Sequence, residues 1–102
     1  MNLGAQLSVS EGPDRGKQFP MTKPVVTLGR SGGRQNDITL SDSTVSREHA
    51  KIICSTAERT FRLINESTTN PARLNGNAID TVLIKDGDSL QLGATVLKFS
   101  KT

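Results

Sequence analysis

Short stretches in which apolar and polar residues alternate are the main regularity of this chain. Ala5, Leu7 and Val9 alternate with Gln6 and Ser8 until the turn-forming run Gly12-Pro13-Asp14-Arg15-Gly16. Phe19 follows, and after Pro24 comes Val25-Val26-Thr27-Leu28. Ala50, Ile52 and Cys54 share one face of a predicted strand, with Lys51 and Ser55 on the other. Phe61 with Leu63, Leu90 with Leu92, and Leu97 with Phe99 repeat the pattern. A period of two, punctuated by Gly, Pro, Asn and Asp, predicts an all-β sandwich or barrel. A helix over residues 44–64 is the competing reading, since that stretch lacks Gly and Pro and its Ser55 and Glu58 match a capping box. Against it, Ile52-Ile53 and Thr60-Phe61 favour strands, and no apolar stripe recurs at helical spacing.

Two segments break the strand rhythm. Residues 29–45 are long, polar and rich in Gly, Ser and Asp, and residues 65–77 hold four Asn, one Pro and one Gly. Long loops on a small β scaffold are where binding chemistry concentrates.

Composition narrows the choice. A chain of 102 residues fits a single domain, 1–102. With 33% hydrophobic residues and no Trp or Tyr, the core is modest but needs no metal or disulfide. Cys54, the one cysteine, cannot form an intrachain disulfide, and its apolar surroundings predict a buried, reduced thiol. No apolar run approaches the ~20 residues that cross a bilayer, and no signal-peptide core is present, so the expectation is a cytoplasmic protein without membrane contact. The net charge of +3 mildly favours anionic partners. Three Phe are the only aromatics, which leaves little to stack bases on, and nucleic acid is not an expected partner. Nothing in the pattern points beyond a monomer.

Three motifs carry candidate chemistry. Thr27-Leu28-Gly29-Arg30 reads as a strand ending in glycine and then a guanidinium, whose planar fork of donors suits phosphate oxygens. Ser46-Arg47-Glu48-His49 follows the acidic turn Ser41-Asp42-Ser43. Serine, the lone histidine and Asp42 invite a hydrolase reading, but no Gly-x-Ser-x-Gly elbow surrounds Ser46. His49 and Cys54 are too few for zinc. Thr68-Thr69-Asn70-Pro71 precedes Leu74-Asn75-Gly76, where Asn-Gly signals a hairpin and Asn70 offers an amide that can grip an extended backbone. Gly29-x-x-Gly32-Gly33 matches neither nucleotide-loop spacing.

In order and spacing these motifs form a set. Gly-Arg, Ser-x-x-His, Asn ahead of a short strand and Asn-Gly, then Asp86-Gly87-Asp88 before the last strands, resemble the forkhead-associated (FHA) domain over about Leu3 to Ser100. The resemblance implies a β-sandwich of two twisted, mostly antiparallel sheets, about eleven short strands, with binding loops at one end. It implies a non-enzymatic, cofactor-free module that binds a phosphothreonine-containing protein or peptide. By position, Arg30 and Ser46 would contact the phosphate, Arg47 would add a contact, and Thr69 and Asn70 would meet the phosphothreonine and peptide backbone. Gly29 and His49 would brace the loops.

One departure stands out. The family usually follows its Asn with Gly-Thr, whereas Asn70 precedes Pro71-Ala72. Proline fixes φ, removes an N–H and pushes Asn70 toward an extended conformation. The rival readings are a phosphate-independent scaffold of the same fold that binds protein through a sheet face, a small Ser46–His49 hydrolase, and a basic nucleic-acid binder.

Overall fold

The alternation resolves into strands in a computed structural model that describes residues 3–32 and 35–102; Gly33 of the Gly32-Gly33 pair lies outside them. Eleven strands run through the described residues. They are β1 (Ala5–Glu11), β2 (Gln18–Pro20), β3 (Val25–Arg30), β4 (Ile38–Leu40), β5 (Ala50–Ser55) and β6 (Thr60–Asn65), then β7 (Arg73–Leu74), β8 (Asn77–Ala78), β9 (Thr81–Ile84), β10 (Ser89–Leu92) and β11 (Thr95–Lys101). They form two sheets, ordered β2-β1-β11-β10-β7-β8 and β4-β3-β5-β6-β9. All registered pairs are antiparallel except β3 with β4. The expected sandwich is the observed one.

The core lies between the sheets and is built from the inward half of each alternation. Leu7, Leu28, Ile52, Leu63, Leu90, Leu97 and Phe99 are fully buried. Phe61 meets Phe99 edge-on, with ring centroids 5.2 Å apart, within the favourable range for aromatic pairs. Cys54 is a buried free thiol, and burial pushes its pKa up.

Three local readings are settled by packing. The competing helix over residues 44–64 is absent; β5 and β6 form an antiparallel pair from Ala50↔Asn65 to Ser55↔Thr60. The Ser55/Glu58 signature closes the turn between them, the Glu58 N–H donating to Ser55 Oγ at 3.3 Å. Residues 29–45 are not wholly loop, because Ile38-Thr39-Leu40 pairs with the end of β3, with Ile38 and Leu40 buried. Asn75 and Gly76, at φ 49° and 89°, make the expected two-residue turn between β7 and β8. No helix among the described residues is long and apolar enough to cross a membrane.

Candidate functional site

β3 and β5 run antiparallel, so the end of β3 and the start of β5 meet at one end of the sandwich. Both segments that break the strand rhythm converge there. Gly29 explains the closeness of approach. A Cβ at Gly29 would overlap the Arg47 carbonyl oxygen and crowd the Asn36 amide, which itself donates to that carbonyl at 2.9 Å. Only a glycine lets the β4–β5 loop lie on the end of β3. The next residue, Arg30, donates its backbone N–H to Ser46 O at 3.0 Å and an Nη1 proton to Ser43 O at 3.1 Å. Five N–H groups make up a guanidinium's donor set, so this one side-chain bond orients the fork and leaves most donors for a ligand.

Buried carboxylates hold the β4–β5 loop from below. Asp42 Oδ1 accepts from Thr44 N (2.8 Å) and Thr44 Oγ1 (2.6 Å), while Oδ2 accepts from Thr95 Oγ1 (2.8 Å) and Ala94 N (3.1 Å). The loop is thereby stapled to the β10–β11 turn, where a Cβ at Gly93 would overlap Thr44. Burial works to raise the Asp42 pKa, but the bonds from Thr44, Thr95 and Ala94 outweigh it and hold the pKa below the ordinary carboxylate value. Asp14, in the β1–β2 turn, accepts from both the N–H and the hydroxyl of Ser41 at 2.8 Å, and Lys17 sits 3.2 Å away. Its pKa is likewise lowered: burial opposes, and the Ser41 and Lys17 contacts prevail.

His49 is wholly buried and does not line the cleft. Its Nδ1 accepts the Ser46 N–H at 2.9 Å, so the neutral ring carries its proton on Nε2. That Nε2 finds no partner of hydrogen-bond geometry. Burial lowers the His49 pKa; the Asn70 backbone, short of a well-formed bond, and the Asp42 charge push back less.

The β6–β7 loop closes the other wall. Asn65 wraps it, its Oδ1 accepting from Ser67 N (3.2 Å) and Ala72 N (3.0 Å) and its Nδ2 donating to Ser67 O (2.9 Å). The Ser67 hydroxyl, nearly buried, accepts the Asn70 N–H at 3.0 Å and lies 2.8 Å from Ser46 Oγ. Asn70 Nδ2 reaches across to Thr44 O at 3.1 Å. With the Glu66 N–H donating to His49 O at 2.9 Å, three of the described bonds join the walls, and Pro71 interrupts none of them.

Between the walls lies an open cleft of about 450 Å³ lined by Arg30, Ser46, Arg47, Thr69 and Asn70, with Ser43, Thr44 and Val45. All five residues expected to contact a phosphopeptide meet on it. Gly29 and His49 stand behind it. A catalytic triad is not assembled: the Ser46 hydroxyl bonds Ser67, and His49 engages only the Ser46 backbone through Nδ1. Sequence reasoning missed Asn65, Ser67 and Asp14 altogether and took Asp42 only as a triad candidate. Short polar residues at strand ends and turns, able to bond nearby backbone, were the available signal.

A family model described as the cytoplasmic domain of the inner-membrane component of T3SS matches residues 8–102. The chain also superposes on an FHA domain studied for phosphothreonine-dependent interactions, with a TM-score of 0.85 at 22% identity over 97% of each chain. The chain belongs to this T3SS-component family, and its fold is the FHA fold. Among curated relatives, this FHA domain is 33% identical to the glycogen accumulation regulator GarA of Mycolicibacterium smegmatis, over 93% of the chain and 58% of the relative. It is 33% identical to the oxoglutarate dehydrogenase inhibitor of Corynebacterium efficiens, over 93% of the chain and 64% of the relative. The FHA domain thus spans about three-fifths of the relatives' length.

Proposed function

We propose that this FHA domain, taken as one unit over residues 1–102, is a non-catalytic reader of phosphothreonine-containing segments of partner proteins. The observation that carries the reading is the meeting of Arg30 and Ser46 on one cleft, each tied to the same loop. A phosphothreonine brings about −1.5 to −2 charges and three strong acceptor oxygens. The free Arg30 donors take up that charge, and Arg47, exposed on the rim, adds to it. Because Ser67 already accepts from Asn70, its own proton is available to Ser46, which leaves the Ser46 O–H to donate into the cleft. Thr69 and Asn70 flank the peptide, while Gly29 and His49 set loop position. Charge-assisted bonds contribute roughly 1.5–3 kcal/mol each. Two or three of them with backbone contacts reach the ~8 kcal/mol of micromolar binding.

The relatives' names support a regulatory role in which a phosphorylated segment brings this domain to a target protein. The family description supports a cytoplasmic location. An oriented phosphothreonine-peptide library, followed by anisotropy with a labelled peptide, tests the reading, the label being needed because the protein has no Trp or Tyr. Phosphorylated peptides are expected to bind and their unphosphorylated or Thr→Glu forms to bind far more weakly. Equal binding of all three would overturn it.

A further inference from the structure

The outer faces of the two sheets are built differently. In the five-stranded sheet, register places Val25, Ile53, Arg62 and Leu83 in one cross-strand row and Thr27, Lys51, Ile64 and Thr81 in the next. The intervening Val26, Ile52 and Leu63 are buried, so by alternation these rows face outward. Val25 and Leu83, each 42% exposed, are the only exposed large hydrophobics among the described residues, and they share one row of one face. Ile53 lies between them and Ile64 lies one row over, both half-buried. Cations accompany them. Among the described residues Lys51 forms no ion pair, and Arg62 reaches Thr81 Oγ1 at 3.2 Å along the face. No acid stands in either row, and Asp37 at the β4 edge is already held by Lys23.

The six-stranded sheet shows what a merely solvated face of this domain looks like. Its outward rows carry Gln18, Ser8, Lys98 and Ser89, then Pro20, Gln6 and Ser100, with Val96 the one aliphatic residue among the outward positions of β1, β10 and β11. Strand propensity accounts for some β-branched residues, but threonine serves it equally, and Leu83 is not explained that way.

We propose that the outer face of the five-stranded sheet is a second, phosphate-independent docking surface for an amphipathic, acidic protein surface. Val25 and Leu83 stand at the two ends of one row, and Arg62 and Lys51 alternate with the half-buried Ile53 and Ile64 between the edges. Apolar contact and positive charge are thus offered together, and Lys51 and Arg62 select an acidic partner. A second copy is disfavoured, because a two-fold pairing would set these cations against their own kind. An anionic membrane is disfavoured because none of the residues in these rows is aromatic, while interfacial anchoring favours aromatic side chains. Strand spacing and rise give a patch of roughly 300 Å², well below the ~800 Å² per partner of a standard interface. The contact is therefore weak alone and gains from a partner that also fills the phosphothreonine cleft, by raising effective concentration.

The test is titration of ¹⁵N-labelled domain with a synthetic amphipathic helix of Leu and Glu, and with its twin in which Lys replaces every Glu. The Glu peptide is expected to shift the amides of Val25, Ile53, Ile64 and Leu83 saturably and the Lys twin to bind at least about tenfold more weakly. Reversing the charges with Lys51→Glu and Arg62→Glu should exchange the two preferences. Leu83→Ser, read separately, should weaken the Glu peptide. Arg30→Ala should leave these shifts unchanged, which separates this surface from the cleft whatever the fate of the phosphothreonine reading. Absence of saturable shifts on this face, or equal binding of the twins, would overturn the proposal. So would stronger shifts at the same amides from phosphatidylserine vesicles, or concentration-dependent shifts without any peptide.

Discussion

The two ends of this sandwich carry depressions of similar size and opposite character. At the end away from the candidate site, Leu3, Cys54, Phe61, Arg59 and Lys101 line a cleft of about 500 Å³, slightly larger than the candidate site. Backbone bonds such as that from Thr102 N–H to Gly4 O at 2.8 Å hold it, with few side-chain bonds among the described residues. Lys101 Nζ donates to Arg59 O at 3.0 Å and lies 5.7 Å from the Phe61 ring centre. At the loop end, Asp14, Asp42, His49, Asn65 and Ser67 are all committed to loop backbone or to one another. Volume alone favours the end without these commitments. What separates the ends is how many buried polar groups are devoted to fixing the walls, since each needs its partners to be tolerated inside.

Substitutions at the two ends should diverge accordingly. The largest effect is expected from Gly29→Ala, where a methyl must displace the Arg47 carbonyl. Overpacking of this kind costs about 1–3 kcal/mol and sometimes more. Urea denaturation should show a loss at the top of that range; an unchanged midpoint would refute the close approach. Next, Arg30→Ala should weaken a phosphothreonine peptide by at least about 2 kcal/mol with little change in melting, because the bound charge loses its partner. A folded variant of undiminished affinity would remove Arg30 from the site.

Ser67→Ala tests a residue that touches no ligand in this account. It should weaken the peptide by about 1–2 kcal/mol, comparable to Ser46→Ala, because Ser46 loses its partner and the Asn70 N–H its acceptor. The double variant should cost less than the sum of the singles, since both remove one linkage. Strict additivity in anisotropy titrations would show that the hydroxyls act separately. At the other end, Arg59 sits at φ 55°, a backbone region that suits glycine. Arg59→Gly should leave peptide affinity unchanged and shift stability by under about 1 kcal/mol, the smallest effect of the set.

Acid should also expose the asymmetry. In the unfolded chain His49 takes a proton near its ordinary value of 6.5, whereas burial lowers its pKa in the folded domain. Below about pH 6.5 the unfolded chain binds more protons, so stability is full above that value and declines as pH falls toward the folded pKa. Asp14 and Asp42, lowered from 3.8, add a second decline below that value. Denaturant midpoints against pH should show both, and His49→Asn should abolish the first. Peptide affinity should fall near pH 6 in both proteins, because that step belongs to the phosphate.

Most of the fold was legible because the strands alternate cleanly. The inward residues of β1, β5, β6, β10 and β11 are the ones the pattern named. β4 escaped because three residues are too few to show a period, and its pairing depends on β3 arriving alongside. At the candidate site, the resemblance to the FHA motifs singled out Arg30, Ser46 and His49, whereas nothing in it pointed to Asn65 and Ser67. Their roles arise only when β6 ends beside the β4–β5 loop, 21 residues separating Ser46 from Ser67. Asp42 shows the same limit, its hydroxyl partner Thr95 lying 53 residues away.

The pairing of β1 with β11, from Ala5↔Lys101 to Glu11↔Val96, has a consequence in time. Closing the long loop between these strands carries an entropic cost that local contacts cannot offset, which places such topologies among the slower folders, in milliseconds to seconds. A ribosome adding roughly 5–20 residues per second delivers β11 last. Until then β1 and β10 wait without their common neighbour, and Asp42 waits for Thr95. The cleft is thus completed only once β11 has been made, and a nascent chain stalled before β11 should capture no phosphopeptide.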